Sequence, residues 1–248
     1  MGALRGIKFV PSLEKQFSVD FMRTFRLPLL EEKIKQQIGN GQNLIIFLGS
    51  SGVGRDTVLE NCLSLIKNSK RIRRTTTRLK RLGRGDQSRL IFVKKKSFLN
   101  ALENGKILFA CRYRANNEFY GISKDELLKL KNKRKIYFFE CTLLSLPLKK
   151  ILPKAKLILL VPPSLNFLKS RLKARGDKDW QKRFKTSCLE IKAILKNIKE
   201  MFRAGFIDLA FINSDSQKTA QKIKKALKNK KYTKVLWQEF FDEIKNYG

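Results

Sequence analysis

An α/β fold with a parallel sheet covered on both faces is what this sequence predicts, and three observations predict it. Short apolar runs rich in Leu, Ile and Phe recur along the chain at strand length rather than helix length. Segments of helical spacing alternate with them, which sets successive strands side by side with helices on both faces. One run, LIIFL at 44–48, ends directly in the glycine-rich turn GSSGVGRDT, and a helical pattern leaves that turn. Strand, glycine turn and helix in that order form the phosphate-binding unit of a P-loop NTPase, a three-layer sandwich around a central parallel sheet.

Residues 1–42 read as an N-terminal extension with one amphipathic helix over 28–38. Pro28 suits a first helical position, where its missing N–H costs nothing, and GNGQN ends the helix. The strand at 44–48 and its loop lead into a helix over 56–66. Strands follow at 90–93 and 107–110, then a helix over 124–130 and a strand at 136–140. A strand at 157–161 precedes a helix over 164–174, and a long helix covers 180–204. A strand at 209–212 precedes a basic helix over 217–229. The expected division is therefore an extension (1–42), a P-loop domain (43–228) and a helical tail (229–248). Leu236, Trp237, Phe240, Phe241 and Ile244 give that tail an apolar face suited to docking on the body. No internal repeat is present.

The 42% hydrophobic fraction suffices for a core. The apolar runs have buried-strand length and fall short of the roughly 18 residues of a membrane span. The charge is extreme, 55 Lys+Arg against 21 Asp+Glu, or +34. Two readings stand: polyanion partners such as nucleotides, RNA or an anionic surface, or a lysine-rich codon bias that needs no partner. Aromatic residues are sparse in the basic stretches, so no base-stacking platform is visible. The chain has no histidine, which removes imidazole acid–base, nucleophile and metal chemistry. Cys62, Cys111, Cys141 and Cys188 lie far apart in contexts suited to buried free thiols, which speaks against zinc and for a reducing compartment. The N-terminus lacks a secretory apolar run. Its arginines and lysines keep a mitochondrial presequence open beside the cytoplasm, and Glu14 and Asp20 weigh against it.

In the loop, Gly49, Ser50, Ser51, Gly52, Val53, Gly54, Arg55, Asp56 and Thr57 are the candidate donor-phosphate residues. Such a loop works because successive backbone N–H groups and a helix N-terminus aim at phosphate oxygens. Arg55 stands where the motif has lysine, and keeps the charge but not the compact shape. Asp56 stands where the motif has a hydroxyl for Mg²⁺. A carboxylate there suits a helix N-terminus and can hold Mg²⁺ directly or through water, and Thr57 offers a hydroxyl one position later. A solvated Arg–Asp pair on an altered loop is the competing reading.

Four further stretches resemble the guanylate kinase family in order and spacing: TTRLKRLGRGDQSRLIFV (76–93), NNEFYGISKDEL (116–127), RLKARGDKDWQKR (171–183) and FINSDS (211–216). The likeness covers about 43–228, and GRDT, ANNEFYG and the missing aspartate after Glu140 make it nearer to ribose 1,5-bisphosphate phosphokinases. The resemblance implies an acceptor-binding region at about 71–122, with Arg78 and Arg81 clamping the acceptor phosphate and Tyr120 adding a hydroxyl. It implies a lid at about 171–183 whose Arg171, Arg175 and Arg183 close over the donor phosphates. It also implies ATP and Mg²⁺. Where the family reads guanine, this chain has Phe109, Leu90, Arg74 and Thr142. A site without those polar groups does not discriminate for GMP.

Two functions follow as expectations. One is an ATP-dependent phosphotransferase acting on a small phosphorylated acceptor, with Arg55, Asp56 and the three lid arginines as its catalytic groups. Positioning and charge neutralisation carry such chemistry, so it proceeds without histidine. The other is a basic, catalytically silent protein on a kinase fold that binds RNA, for example on the ribosome.

Overall fold

A computed structural model describes residues 35–80, 86–113, 117–140, 145–176, 179–245 and 247, and the backbone of Val19–Met22. Of the helix expected over 28–38, residues 28–34 lie outside the described residues and 35–38 are helical.

The central sheet is parallel throughout, with strand order β10 (Leu209–Ile212), β9 (Lys156–Val161), β2 (Leu44–Leu48), β8 (Ile136–Glu140), β3 (Ser69–Arg71). Strand β2 is central and buried along its whole length. Its residues alternate between two cores, as a strand covered on both faces requires. Leu44, Ile46 and Leu48 enter one apolar cluster, Ile45 and Phe47 the other. Strand β9 divides the same way, with Leu157, Leu159 and Val161 on one side and Ile158 and Leu160 on the other.

The second face is covered by α1 (Arg55–Leu65), through Val58, Leu59 and Cys62, and by the helix Ser216–Lys228, through Ala220, Ile223 and Ala226. The first face is covered by the helices Ser145–Ile151, Leu165–Ala174 and Trp180–Arg203. Asp215 and Ser164 cap the starts of two of these helices by accepting from backbone N–H groups. The tail helix Lys230–Ile244 docks through Leu236, Trp237 and Phe240, all buried, and the Trp237 indole donates to the Asp208 carbonyl at 3.0 Å.

The strands predicted at 90–93 and 107–110 do not belong to the parallel sheet. They lie in a second sheet of order β1 (Val19–Met22), β6 (Ile107–Tyr113), β7 (Glu118–Ser123), β4 (Arg74–Thr76), β5 (Leu90–Phe92). Its pairs are antiparallel except β4–β5. Four residues connect β6 to β7, too few for a parallel crossover, so these two strands must run antiparallel. The helix Lys95–Glu103 covers this sheet through a small core of Phe98, Leu102, Ile107, Ala110 and Phe119. Phe109, Leu108, Cys111 and Ile122 extend the main core into the mixed sheet and join the two sheets. Cys62 and Cys111 are buried and Cys188 is half-buried, whereas Cys141 lies outside the described residues.

A candidate phosphotransfer site between the two sheets

The loop after β2 turns on two glycines in the left-handed region, Gly52 at φ +88° and Gly54 at φ +95°. A Cβ at Gly54 would stand 2.7 Å from the Asn213 amide nitrogen, and one at Gly49 2.7 Å from the Leu160 carbonyl. Glycine is therefore required by close approach as well as by φ. Gly54 is the N-cap of α1 and offers no side-chain cap, and a helix start of this kind suits an anion.

Three elements clamp the loop. The Asn213 amide donates to the Val53 carbonyl at 2.7 Å, Arg171 Nη1 reaches the same carbonyl at 3.5 Å, and the Ser187 hydroxyl donates to the Ser51 carbonyl at 3.2 Å. Ser50 is buried, and its hydroxyl has no partner among the described residues.

Asp56, at the second position of α1, is half-buried, and Thr57 is exposed. One Asp56 oxygen pairs with Arg89, from the short helix Asp86–Arg89 beside the mixed sheet. The other accepts from Arg71, at the end of β3, at 3.5 Å. Arg71 also pairs with Glu60 one turn along α1, at 2.9 Å. Burial would raise the Asp56 carboxyl, but the guanidiniums of Arg89, Arg74, Arg71 and Arg55 outweigh it and hold it down at about 2. Arg74, on β4, pairs with the buried Glu140 at the end of β8 and lies 5.7 Å from the centre of the Tyr120 ring. Burial raises the Glu140 carboxyl, with Arg74 opposing.

Of the predicted acceptor residues, Arg78 lies with its guanidinium 5.4 Å from the Phe92 ring centre and donates to the Leu79 carbonyl at 2.8 Å. Tyr120 is half-buried on β7, and Arg81 lies outside the described residues. Of the predicted lid arginines, Arg171 reaches the loop. Arg175 ends the helix Leu165–Ala174, and Arg183 is held by both oxygens of Asp179 at 2.9 Å. Phe109 and Leu90 are buried, and Thr142 lies outside the described residues.

Sequence reasoning did not single out Arg71, Arg89, Ser187 or Glu190. In a chain with 55 basic residues, two more arginines carry no local signal. Glu190 had one: it falls in the apolar stripe of its helix beside Ile191 and Ile194. It is 2% exposed, one turn beyond Ser187, and one of its oxygens has no partner among the described residues. Burial pushes its carboxyl up to about 7 against the pull of Arg55.

A parallel sheet with a glycine turn opening the helix after its central strand defines a P-loop NTPase fold, here with arginines gathered between that turn and a second, mixed sheet. The guanylate kinase family model matches residues 41–230, and the chain belongs to that family. It is 31% identical over 211 residues to the guanylate kinase of Malacoplasma penetrans (strain HF-2), covering 84% of this chain and 98% of that one. It is 27% identical over 213 residues to that of Clostridioides difficile (strain 630), covering 81% and 97%. The crystal structure of guanylate kinase from Anaplasma phagocytophilum shares the fold, with a TM-score of 0.54 at 22% identity over 75% of this chain and 84% of that one. Among the described residues no helix is long and apolar enough to cross a membrane.

Proposed function

We propose that this chain transfers a phosphoryl group from ATP to a small phosphorylated acceptor of the ribose 1,5-bisphosphate kind rather than to GMP, in a reducing compartment such as the cytoplasm. The observation that carries the reading is the left-handed glycine turn at the start of α1, which has no side-chain cap from Gly54, with Arg55 opening the helix and Arg171 reaching the turn. An aimed helix N-terminus and several guanidiniums are what a transferring phosphoryl group needs, since its chemistry is charge stabilisation and alignment. The choice of acceptor is supported by Phe109 and Leu90, buried apolar side chains that offer a base no hydrogen bond, and by the engagement of Arg74 with Glu140.

In this reading the backbone of 49–57 cradles the donor phosphates, and Arg55 and Arg171 neutralise them. Arg78, Arg81 and Tyr120 hold the acceptor, and Arg175 and Arg183 close over the site. Mg²⁺ enters with ATP as part of the substrate. Both Asp56 oxygens accept from arginines, so direct ligation requires one of those pairs to open, whereas the exposed Thr57 hydroxyl is at hand.

The test is phosphoryl transfer from labelled Mg·ATP to ribose 1,5-bisphosphate, GMP and the other nucleoside monophosphates. Turnover with the first and not with GMP is expected, abolished by Asp56→Ala and lowered roughly 10²- to 10³-fold by Arg171→Ala. Turnover with GMP would overturn the acceptor assignment. No turnover with any acceptor, unrelieved by Arg55→Lys, would overturn the kinase reading and leave RNA binding as the function to measure.

A further inference from the structure

We infer that Arg71, Arg74 and Arg89 form a second anion site, separate from the Arg78 clamp, and that it takes the further phosphate of a bisphosphorylated acceptor. The inference rests on the kinase reading for the identity of the ligand, and on geometry for the site.

The three guanidiniums arrive from three elements: the end of β3, β4, and the helix Asp86–Arg89. They converge where α1 meets the mixed sheet. Their side chains are 6%, 15% and 17% exposed. Cations so buried require anions beside them. The anions supplied are Asp56, Glu60 and Glu140, of which Asp56 and Glu60 are 41% and 49% exposed. The carboxylates of α1 thus lie on the solvent side and the arginines on the inner side.

The pairing is incomplete. Arg71 meets Asp56 at 3.5 Å, long for a charge-assisted bond, and its buried Nε has no partner among the described residues. Arg55 adds a fourth cation close enough to act on both Asp56 and Glu140. Two of the carboxylates that meet these guanidiniums, Asp56 and Glu60, open to water.

A phosphate dianion suits this arrangement better than the carboxylates do. It offers three oxygens to the planar forks, and arginine forks match phosphate bidentately. The site is continuous with the acceptor side, since Arg74 lies against the Tyr120 ring. Apolar Phe109 and Leu90 give a base nothing to bond, whereas the arginines give a second phosphate a counter-charge. Asp56 then acts as an internal competitor that holds the guanidiniums in place until the ligand enters.

The experiment is calorimetric titration without ATP, so that it does not depend on turnover. Ribose 5-phosphate and ribose 1,5-bisphosphate are compared on the wild type, Arg89→Gln, Arg74→Gln and Asp56→Asn. Lys225→Gln on a distant helix is the control for general charge loss, and thermal melts verify folding.

The wild type is expected to bind the bisphosphate at least tenfold tighter than the monophosphate. Arg89→Gln and Arg74→Gln should each remove most of that preference while changing monophosphate affinity less than threefold. Asp56→Asn, which keeps every arginine, should tighten the bisphosphate several-fold, and it gives a reading even where an arginine variant does not fold. Equal wild-type affinities would overturn the inference, as would a preference that survives both arginine changes. It also falls where, in a separate titration with ATP alone, Arg89→Gln weakens ATP binding and leaves the two sugar phosphates as they were, which would assign the arginines to the donor. Bisphosphate preference without any turnover would keep the site and discard the kinase reading.

Discussion

Glu190 shows what a single buried carboxylate does to this protein. Its folded pKa, about 7, lies above the ordinary value of 4.5. Between those values the folded state holds a proton that the unfolded chain has released, so stability falls as pH rises through that window and levels off above it. The charged form is penalised by up to a few kcal/mol at high pH. Melting temperature should therefore be higher at pH 5 than at pH 8 by Glu190's share, and Glu190→Gln should flatten that part of the profile. An unchanged slope in the variant would show that Glu190 does not titrate there. Asp56 behaves in the opposite sense. Held at about 2 against an ordinary 3.8, it contributes stability above 3.8 that is lost only as pH falls towards 2. The arginine cluster thus keeps its carboxylate partner throughout the neutral range. At this scale the site was half legible in the sequence. Gly49, Gly54, Arg55 and Asp56 stand in a contiguous motif, and contiguity is what a reader of sequence sees. Arg71, Arg89 and Glu190 reach the same place through three separate elements, and nothing local marks them.

At the scale of elements, the loop owes its shape to the partners that grip it. Asn213 follows β10, and Ser187 lies in the helix Trp180–Arg203, so two distant parts of the chain fix the carbonyls of Val53 and Ser51. Among the described residues, removing the Asn213 amide leaves the buried Val53 carbonyl with only the long Arg171 side-chain contact, a loss of about 1–3 kcal/mol. Asn213→Ala should speed amide exchange selectively in 50–56 and weaken ATP binding several-fold. Uniform exchange across α1 and the loop would argue against a local clamp. The strands and helices of the parallel sheet were legible because LIIFL and LILLV are continuous apolar runs, which a doubly covered strand needs. β3 reads SKR and β4 reads RTT. Three-residue strands with charged side chains have no periodicity to detect, and their place is fixed by neighbours already folded. The same holds for the mixed sheet, whose direction follows from a short connection and not from residue pattern.

For the whole molecule, the tail helix ties together parts that the P-loop domain alone leaves separate. Leu236 packs into one core and Trp237 and Phe240 into the other, while Asp208 accepts from Trp237 through its carbonyl and from Lys149 and the Leu157 N–H through its carboxylate. Trp237→Ala should cost about 3–5 kcal/mol in urea unfolding, the range for a large buried aromatic, and a change below 1 kcal/mol would mean that the tail is only loosely held. Part of the net charge of +34 sits on faces that folding leaves open: Lys218, Lys222, Lys225 and Lys228 are exposed on a helix whose Ala220, Ile223 and Ala226 are buried. Val19–Met22 has a different consequence. It pairs along Ala110–Tyr113 and so ends the mixed sheet with a strand of its own. Without it, β6, reading ILFACRY, becomes an open ribbon of unsatisfied main-chain groups that a neighbouring copy is free to extend. A chain begun at residue 35 is expected to self-associate with concentration in sedimentation runs where the full chain does not. On that account Val19–Met22 closes an edge that a second copy would otherwise lengthen.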